Sequence, residues 1–180
     1  MYYLNEIVGI FLLFLPAGVA NMTPVFVRKT NFLNFPADGG KNFRGKRIFG
    51  SHKTVRGFFF GIIASIAVVY LEKTFAHQIG FYALLDYASI NFILLGFLLG
   101  FGALAGDCVK SFFKRQMDIP PRNSWWFFDQ TDWILGAFIL TSTYMIFNPD
   151  IYIIGLLFFA ILHPLVNLLG HFLGIKSEKF

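Results

Sequence analysis

The stretch ILLGFLLGFGALAGDCVKSFFKR, residues 93–115, decides the fold. Residues 93–105 carry no charge and no strongly polar side chain, whereas residues 106–115 hold one acid, two lysines and an arginine. An apolar run that passes into charge without a turn reads as one helix leaving a bilayer. On that helix Asp107, Lys110, Ser111 and Lys114 fall at i, i+3, i+4 and i+7, a single stripe on one face. The stripe holds both signs, so it points to a partner that needs both.

The rest of the chain agrees. Only 14 % of the 180 residues are charged and 56 % are apolar, against about 25 % and 45–50 % in a soluble domain. Five stretches, roughly 7–27, 58–75, 90–106, 133–147 and 151–173, approach the ~20 residues that span a bilayer. The second and fourth are short and must borrow flanking residues. Residues 81–87, FYALLDY, are too short to span and are expected at headgroup level on the far side. The expectation is an all-α integral membrane protein. It would be one membrane domain over residues 1–180 with five transmembrane helices.

Basic residues orient it. Eight lie in segment 28–57, four in segment 107–132 and two in the C-terminal tail, leaving only Lys73 for the opposite side. By the positive-inside rule the N-terminus is outside, the C-terminus is cytoplasmic, and loops 28–57 and 107–132 face the cytoplasm of a cell membrane. The net charge of +5 is then topology and not a nucleic-acid footprint. A cleaved signal should begin with positive charge and MYYLNE at the N-terminus has none, so an uncleaved first helix is expected. The lone Cys108 excludes an intramolecular disulfide and a cysteine-based metal site. No sequence feature addresses oligomeric state.

Three spans carry polar or small residues. Pro24 within NMTP, residues 21–24, frees a backbone carbonyl, which in lipid persists where protein or water satisfies it. Either the stretch lines a cavity near the cytoplasmic face or it is a harmless kink. Gly96 and Gly100, then Gly102 and Gly106, stand at GxxxG spacing and are expected to pack helices closely. His163, Asn167 and His171 share one face of the last span. The histidines are about 12 Å apart along that helix, too far for one metal, so interhelical hydrogen bonds are the expectation.

The first loop contains PADGGKNFRGKRIFGSHKTVRG, residues 36–57, with five glycines among basic residues. Glycine lets backbone amides approach an anion, and Lys and Arg neutralise it. Phosphate binding is expected; a solvated positive-inside loop is the alternative. GKNFRGKR resembles a P-loop but lacks the hydroxyl that holds magnesium and does not follow a strand. The second loop ends with Asp129 and Asp132 at the start of the fourth span. Either could cap that helix. Three acids at membrane edges, Asp107 included, are costly unless paired or metal-bound. Carboxylates beside lysines at one surface point to magnesium and phosphates, because magnesium takes one or two carboxylates and completes its shell with phosphate and water.

These residues resemble a family. GD-x-x-KSF-x-KR at 106–115, FDQ-x-D at 128–132, P-x-DGG-x-x-F-x-GKRIFG-x-HKT-x-RG at 36–57, N-M-x-P at 21–24 and H-x-x-x-N-x-x-x-H-x-x-GIK at 163–176 are similar to the CDP-archaeol synthases, archaeal relatives of the CDP-diacylglycerol synthases. The resemblance implies five membrane helices and magnesium-dependent transfer of CMP from CTP to di-O-geranylgeranylglyceryl phosphate. It implies a catalytic group of Asp107, Lys110, Asp129 and Asp132, with the three aspartates around the metal. Lys110, Lys114 and Arg115 would meet phosphates, with Ser111 and Gln130 beside them. Lys46, Arg47, His52, Lys53 and Arg56 would hold the triphosphate or the lipid phosphate. Ser51 and Arg122 depart from the common pattern. A CDP-diacylglycerol synthase acting on ester lipids has the same chemistry and stands as the runner-up. A transporter or flippase for an anionic lipid would need ionisable groups near the membrane midplane, where this chain has almost none besides histidines.

Overall fold

The computed structural model describes residues 2–79, 84–120, 123 and 125–172. It is helical apart from one small hairpin. The elements are α1 (Tyr2–Phe26), a 3-10 turn (Val27–Lys29), β1 (Asn42–Phe43), β2 (Lys46–Arg47), α2 (Val55–Thr74), α3 (Ala76–Ile79), α4 (Phe92–Gln116), α5 (Trp126–Thr141) and α6 (Pro149–Phe172). Among the described residues four helices are long and apolar enough to cross a membrane, within α1, α2, α4 and α6. The fifth expected span differs. Helix α5 has 16 residues, about 24 Å of rise, short of the ~30 Å hydrocarbon core. It also begins at Trp126, not Trp133, so Asp129 and Asp132 sit in its first two turns. Residues 81–83 and 173–180 and the side chains of His163 and Asn167 lie outside the described set, and with them part of FYALLDY and the closing motif.

Helix α4 runs from the apolar stretch to Gln116 with no break at Gly106. Asn91 caps its start by accepting from the Ile93 and Leu94 amides at 3.1 Å each. Lys114 and Arg115 in its last turn complement the negative end of the helix dipole. Thr54 caps α2 in the same way, accepting from the Gly57 amide.

Lipid tails are as apolar as leucine, so close packing and not solvent exclusion holds such helices together. Helix α4 is the centre of that packing, and its glycines serve two neighbours. At Gly100 a Cβ would lie 2.7 Å from Ser65 Cβ of α2. On the other face a Cβ at Gly106 would run into the Asp132 carbonyl oxygen, and one at Gly136 into that of Gly102. The α4–α5 backbones therefore touch where the charged stripe begins. Further from that end, Leu13 and Phe14 of α1, Leu99 of α4, Ile134 and Phe138 of α5 and Phe159 of α6 form the apolar core. Phe14 meets Phe138 edge-on at 4.7 Å between ring centroids.

The first loop is organised around Asp38. Its carboxylate accepts from the amides of Gly40 (2.9 Å), Phe49 (3.0 Å) and Gly50 (3.2 Å) and from Arg47 Nη2 (2.8 Å). The hairpin turn places Arg44 and Gly45 at φ of 51° and 78°, the left-handed pair that a two-residue turn of this type requires. Lys46 ties the hairpin to the end of α4 through Asp118 Oδ2 (2.6 Å) and the Gln116 carbonyl (2.8 Å), and Phe43 packs on Phe112.

Candidate active site

The stripe on α4 meets the first turns of α5. Lys110 Nζ lies 3.0 Å from Asp107 Oδ1, 2.9 Å from Asp129 Oδ1 and 2.7 Å from Asp132 Oδ2. Asp107 Oδ2 pairs with Lys53, which arrives from the first loop. Lys114 Nζ reaches Asp129 Oδ2 at 3.2 Å and donates to the Asn123 carbonyl at 2.6 Å. Three aspartates and three lysines thus form one branched network of ion pairs, with Lys110 at the branch point and a formal charge of zero. Its members are largely covered, with Lys110 13 % and Asp132 6 % exposed at the side chain. Removing one partner of a buried pair strands the other and costs about 3–5 kcal/mol, so such a cluster folds as a unit.

Asp129 also accepts from the Trp125 amide, the N-cap position of α5. The N-cap is Trp125, which makes no side-chain cap, so the capping expectation is not met: Asp129 stands inside the first turn of α5 and reaches back to the N-cap residue's own amide. Asp132, one turn on, has no capping contact. Gly106 and Gly136 make the arrangement possible, because any larger residue would hold α5 away from Lys110.

Two cavities open beside the cluster. The first, about 480 Å3, lies among α1, the first loop, α2 and α4, and includes Asn21, Arg28, His52, Lys53, Arg56 and Asp107 in its lining. Pro24 lines it too, as the NMTP stretch leads one to expect. Both volumes fall within the ~300–1,000 Å3 of small-molecule sites. The second, about 420 Å3, is a groove between α4 and α5 walled by Phe101, Val109, Phe113, Phe128, Leu135 and Ile139. Its charged lining residues are Lys110 and Asp132. The cavities meet the cluster from opposite sides, at Asp107–Lys53 and at Lys110–Asp132.

Not every residue expected in the site stands there. Lys46 and Arg47 are engaged by Asp118 and Asp38, and neither lines the polar cavity. Ser111 donates to the Asp107 carbonyl at 2.8 Å, within its own helix. Gln130 is buried and, like Arg115, lines neither cavity. Arg56 donates to the Thr30 carbonyl, which fixes it in the cavity wall. Glycines 39, 40, 45 and 50 take positive φ and serve turns around Asp38. None of these four lines the polar cavity, whereas Gly57, the fifth glycine of the loop, does so beside His52, Lys53 and Arg56. Two residues escaped the sequence reading. Asp38 sits before a Gly-Gly turn, the usual place of an acid that accepts backbone amides. Arg28 follows Asn21 by seven residues, which on α1 and its 3-10 extension is the same face.

Magnesium takes hard oxygen donors, and the cluster supplies them. One oxygen from each of three carboxylates lies within 3.0 Å of a common centre. Asp132 Oδ2 is buried and, although ion-paired, has no aligned hydrogen bond. The donor set fits the ion. The present spacing is that of an ammonium, since magnesium needs its oxygens at about 2.0–2.1 Å. Among the described residues no group of three acidic, imidazole or thiol side chains has closed to metal-binding distance.

Comparison with known proteins bears on the family and the fold. Residues 3–180 match the CarS-like family, CDP-archaeol synthase. The CDP-archaeol synthase of Methanospirillum hungatei is 35 % identical over 152 residues, covering 79 % of this chain and 87 % of that protein. That of Thermococcus onnurineus is 34 % identical over 175 residues, 97 % of both chains. A solved structure of an intramembrane enzyme for archaeal membrane lipids biosynthesis superposes with a TM-score of 0.70 at 27 % identity, covering 88 % of this chain and 92 % of that one. The chain belongs to the CDP-archaeol synthase family.

Proposed function

We propose that this membrane protein is a CTP-dependent cytidylyltransferase that moves CMP from CTP onto the phosphate of di-O-geranylgeranylglyceryl phosphate. The products are CDP-archaeol and pyrophosphate. The observation that carries the reading is the meeting of a cationic cavity and an apolar groove at one neutral cluster of lysines and aspartates. A nucleotide triphosphate suits the first and a lipid tail the second.

In this reading Lys53, Arg56, Arg28 and His52 hold the triphosphate in the polar cavity. Lys110 and Lys114 neutralise phosphate charge at the cluster, and Asp107, Asp129 and Asp132 hold magnesium. When bound, the ion supplies charge neutralisation and alignment of the phosphate oxygens. A lipid phosphate oxygen attacks the α-phosphorus of CTP, a new P–O bond forms, and the bond from that phosphorus to the bridging oxygen of pyrophosphate breaks. The nucleophile is already ionised at neutral pH, so no general base is required. Catalysis is positioning plus neutralisation. The fixed cations of the cavity wall bring two anions together, and the apolar walls of the groove keep water from competing.

The topology belongs to the same proposal. Five spans are counted by joining α5 to the turn that follows it. The N-terminus is outside, and the cluster opens to the cytoplasm at the end where α1 and α4 finish and α2 and α5 begin. The alternative acceptor, an ester-linked phosphatidic acid, differs only in groove occupant. Purified protein given CTP, magnesium and the ether lipid phosphate should release pyrophosphate, and Asp107→Asn should lower that rate by about 100-fold or more. An Asp107→Asn protein of undiminished rate would remove the cluster from the reaction.

A further inference from the structure

Lys110 occupies the centre that the carboxylates would offer to a metal, and it is also the cation of the apolar groove. These two facts conflict with a simple picture of lipid capture. A lipid phosphate arriving along the groove meets Lys110 and Asp132 already neutralising each other at 2.7 Å. The remaining walls are hydrocarbon. As it stands the groove offers an anion no net charge.

A divalent cation on Asp107, Asp129 and Asp132 changes this. A doubly charged ion competes with a single ammonium for the same three carboxylates. Lysine has a flexible four-carbon stem and a point charge that makes no planar fork, so its ammonium can leave while its Cα stays on α4. It is displaced at the mouth of the groove, because its side chain already lines that wall.

Resting on the metal–nucleotide reading above, we propose that Lys110 is a charge switch that couples the two substrates. Without metal it plugs the carboxylate centre and leaves the groove neutral. With the metal–nucleotide bound it turns to the groove and receives the lipid phosphate. Binding is then ordered, nucleotide first and lipid second. By linkage the metal and the lipid phosphate strengthen each other's binding equally.

The test uses wild-type protein in detergent with manganese in place of magnesium and no CTP. Surface and buried amines are reductively methylated, and modification at Lys110 is read by mass spectrometry. Saturating manganese should raise Lys110 methylation at least about fivefold, and should tighten binding of a dialkylglycerol phosphate by a similar factor, the lower end of ordinary coupling. In Lys110→Met the plug is gone. Manganese, followed by its spin-resonance signal, should bind more tightly than to wild type, while its effect on lipid-phosphate binding should vanish. Lys110 methylation that is unchanged or slowed by bound manganese overturns the switch and leaves CMP transfer standing. So does a Lys110→Met protein that binds manganese no better than wild type. If that variant does not fold, the two wild-type measurements still decide. Failure of wild type to bind manganese both alone and with a non-hydrolysable CTP analogue overturns the metal assignment and the switch together.

Discussion

Replacing Gly106 with alanine touches no charged group, yet it should damage the reaction. The added methyl would lie 3.1 Å from Gly136 Cα and run into the Asp132 carbonyl oxygen. Ordinary carbon contacts need about 3.5–4.0 Å, so α5 must retreat by about 1 Å. The overpacking costs about 1–3 kcal/mol, and the gain in helix propensity returns about 1 kcal/mol. The net loss of stability is therefore small, about 0–2 kcal/mol. The effect on the cluster is larger. Asp132 rides on the displaced helix, and its 2.7 Å contact with Lys110 opens. A misplacement of about 1 Å costs on the order of 100-fold in rate. The control is Gly96→Ala. There a methyl would meet Ile66 Cα of α2 at 2.5 Å, an equal insult placed about 15 Å along α4 from Gly106. Thermal unfolding in detergent and initial rates of label transfer from CTP should be measured on both. Gly96→Ala should lose stability and keep the rate of its folded fraction, and Gly106→Ala should lose rate out of proportion to stability. Equal rates per folded molecule in the two variants would refute the argument that the α4–α5 contact sets the site.

Other expectations are direct. Arg28→Ala removes a cation from the polar cavity; a hydrogen bond to a charged group is worth about 1.5–3 kcal/mol, so KM for CTP should rise about 10- to 100-fold, and an unchanged KM would exclude Arg28 from the nucleotide site. Burial opposes charge on Asp38, but amide bonds from Phe49 and Gly40, then Arg47 and Gly50, hold its carboxyl below the usual carboxylate range. Its contribution is therefore complete above the unfolded value near 3.9 and is lost as pH falls through the lower folded value. Asp38→Asn should cost about 1.5–3 kcal/mol at neutral pH and flatten the acid limb of thermal stability; an unchanged limb would contradict this. Cys108 is 4 % exposed and lines the polar cavity, so it should react slowly with a small thiol reagent and more slowly still with CTP and magnesium present. Equal rates with and without CTP would place the nucleotide elsewhere.

The sequence was most legible where one helix carries the information. The stripe Asp107, Lys110, Ser111 and Lys114 follows from a 3.6-residue period, and α4 carries it without interruption. The GxxxG pairs likewise announce close packing, although not that Gly96 and Gly100 face α2 while Gly102 and Gly106 face α5. Helix α5 begins at Trp126, ahead of the apolar stretch that starts at Trp133, because WWFF has the composition of an interfacial belt and apolar aromatics serve a helix start equally well. That Asp107, Asp129 and Asp132 belong to one group is implied by the family resemblance and by the cost of unpaired acids at a membrane edge, but their closing on the ammonium of Lys110 has no signal in the spacing. That closing depends on how far α5 slides along α4, which the glycine contacts fix in space. The first-loop glycines divide between two roles that composition does not separate. Basic residues beside glycine describe an anion cradle and a positive-inside turn equally; four of the glycines turn around the buried Asp38, and Gly57 lines the polar cavity with His52, Lys53 and Arg56.

The central claim is that a nucleotide cavity and a lipid groove deliver CTP and an ether lipid phosphate to one charged cluster. It is tested most directly by incubating the purified protein with magnesium, CTP labelled in the α-phosphate, and equal surface concentrations of di-O-geranylgeranylglyceryl phosphate and phosphatidic acid. Label entering each lipid and pyrophosphate released are then followed together. The account predicts label in the ether lipid, one pyrophosphate for each CMP transferred, and slow or no labelling of phosphatidic acid. Faster labelling of phosphatidic acid would contradict the ether-lipid assignment, and no label in either lipid, or label without matching pyrophosphate, would contradict the cytidylyltransferase itself.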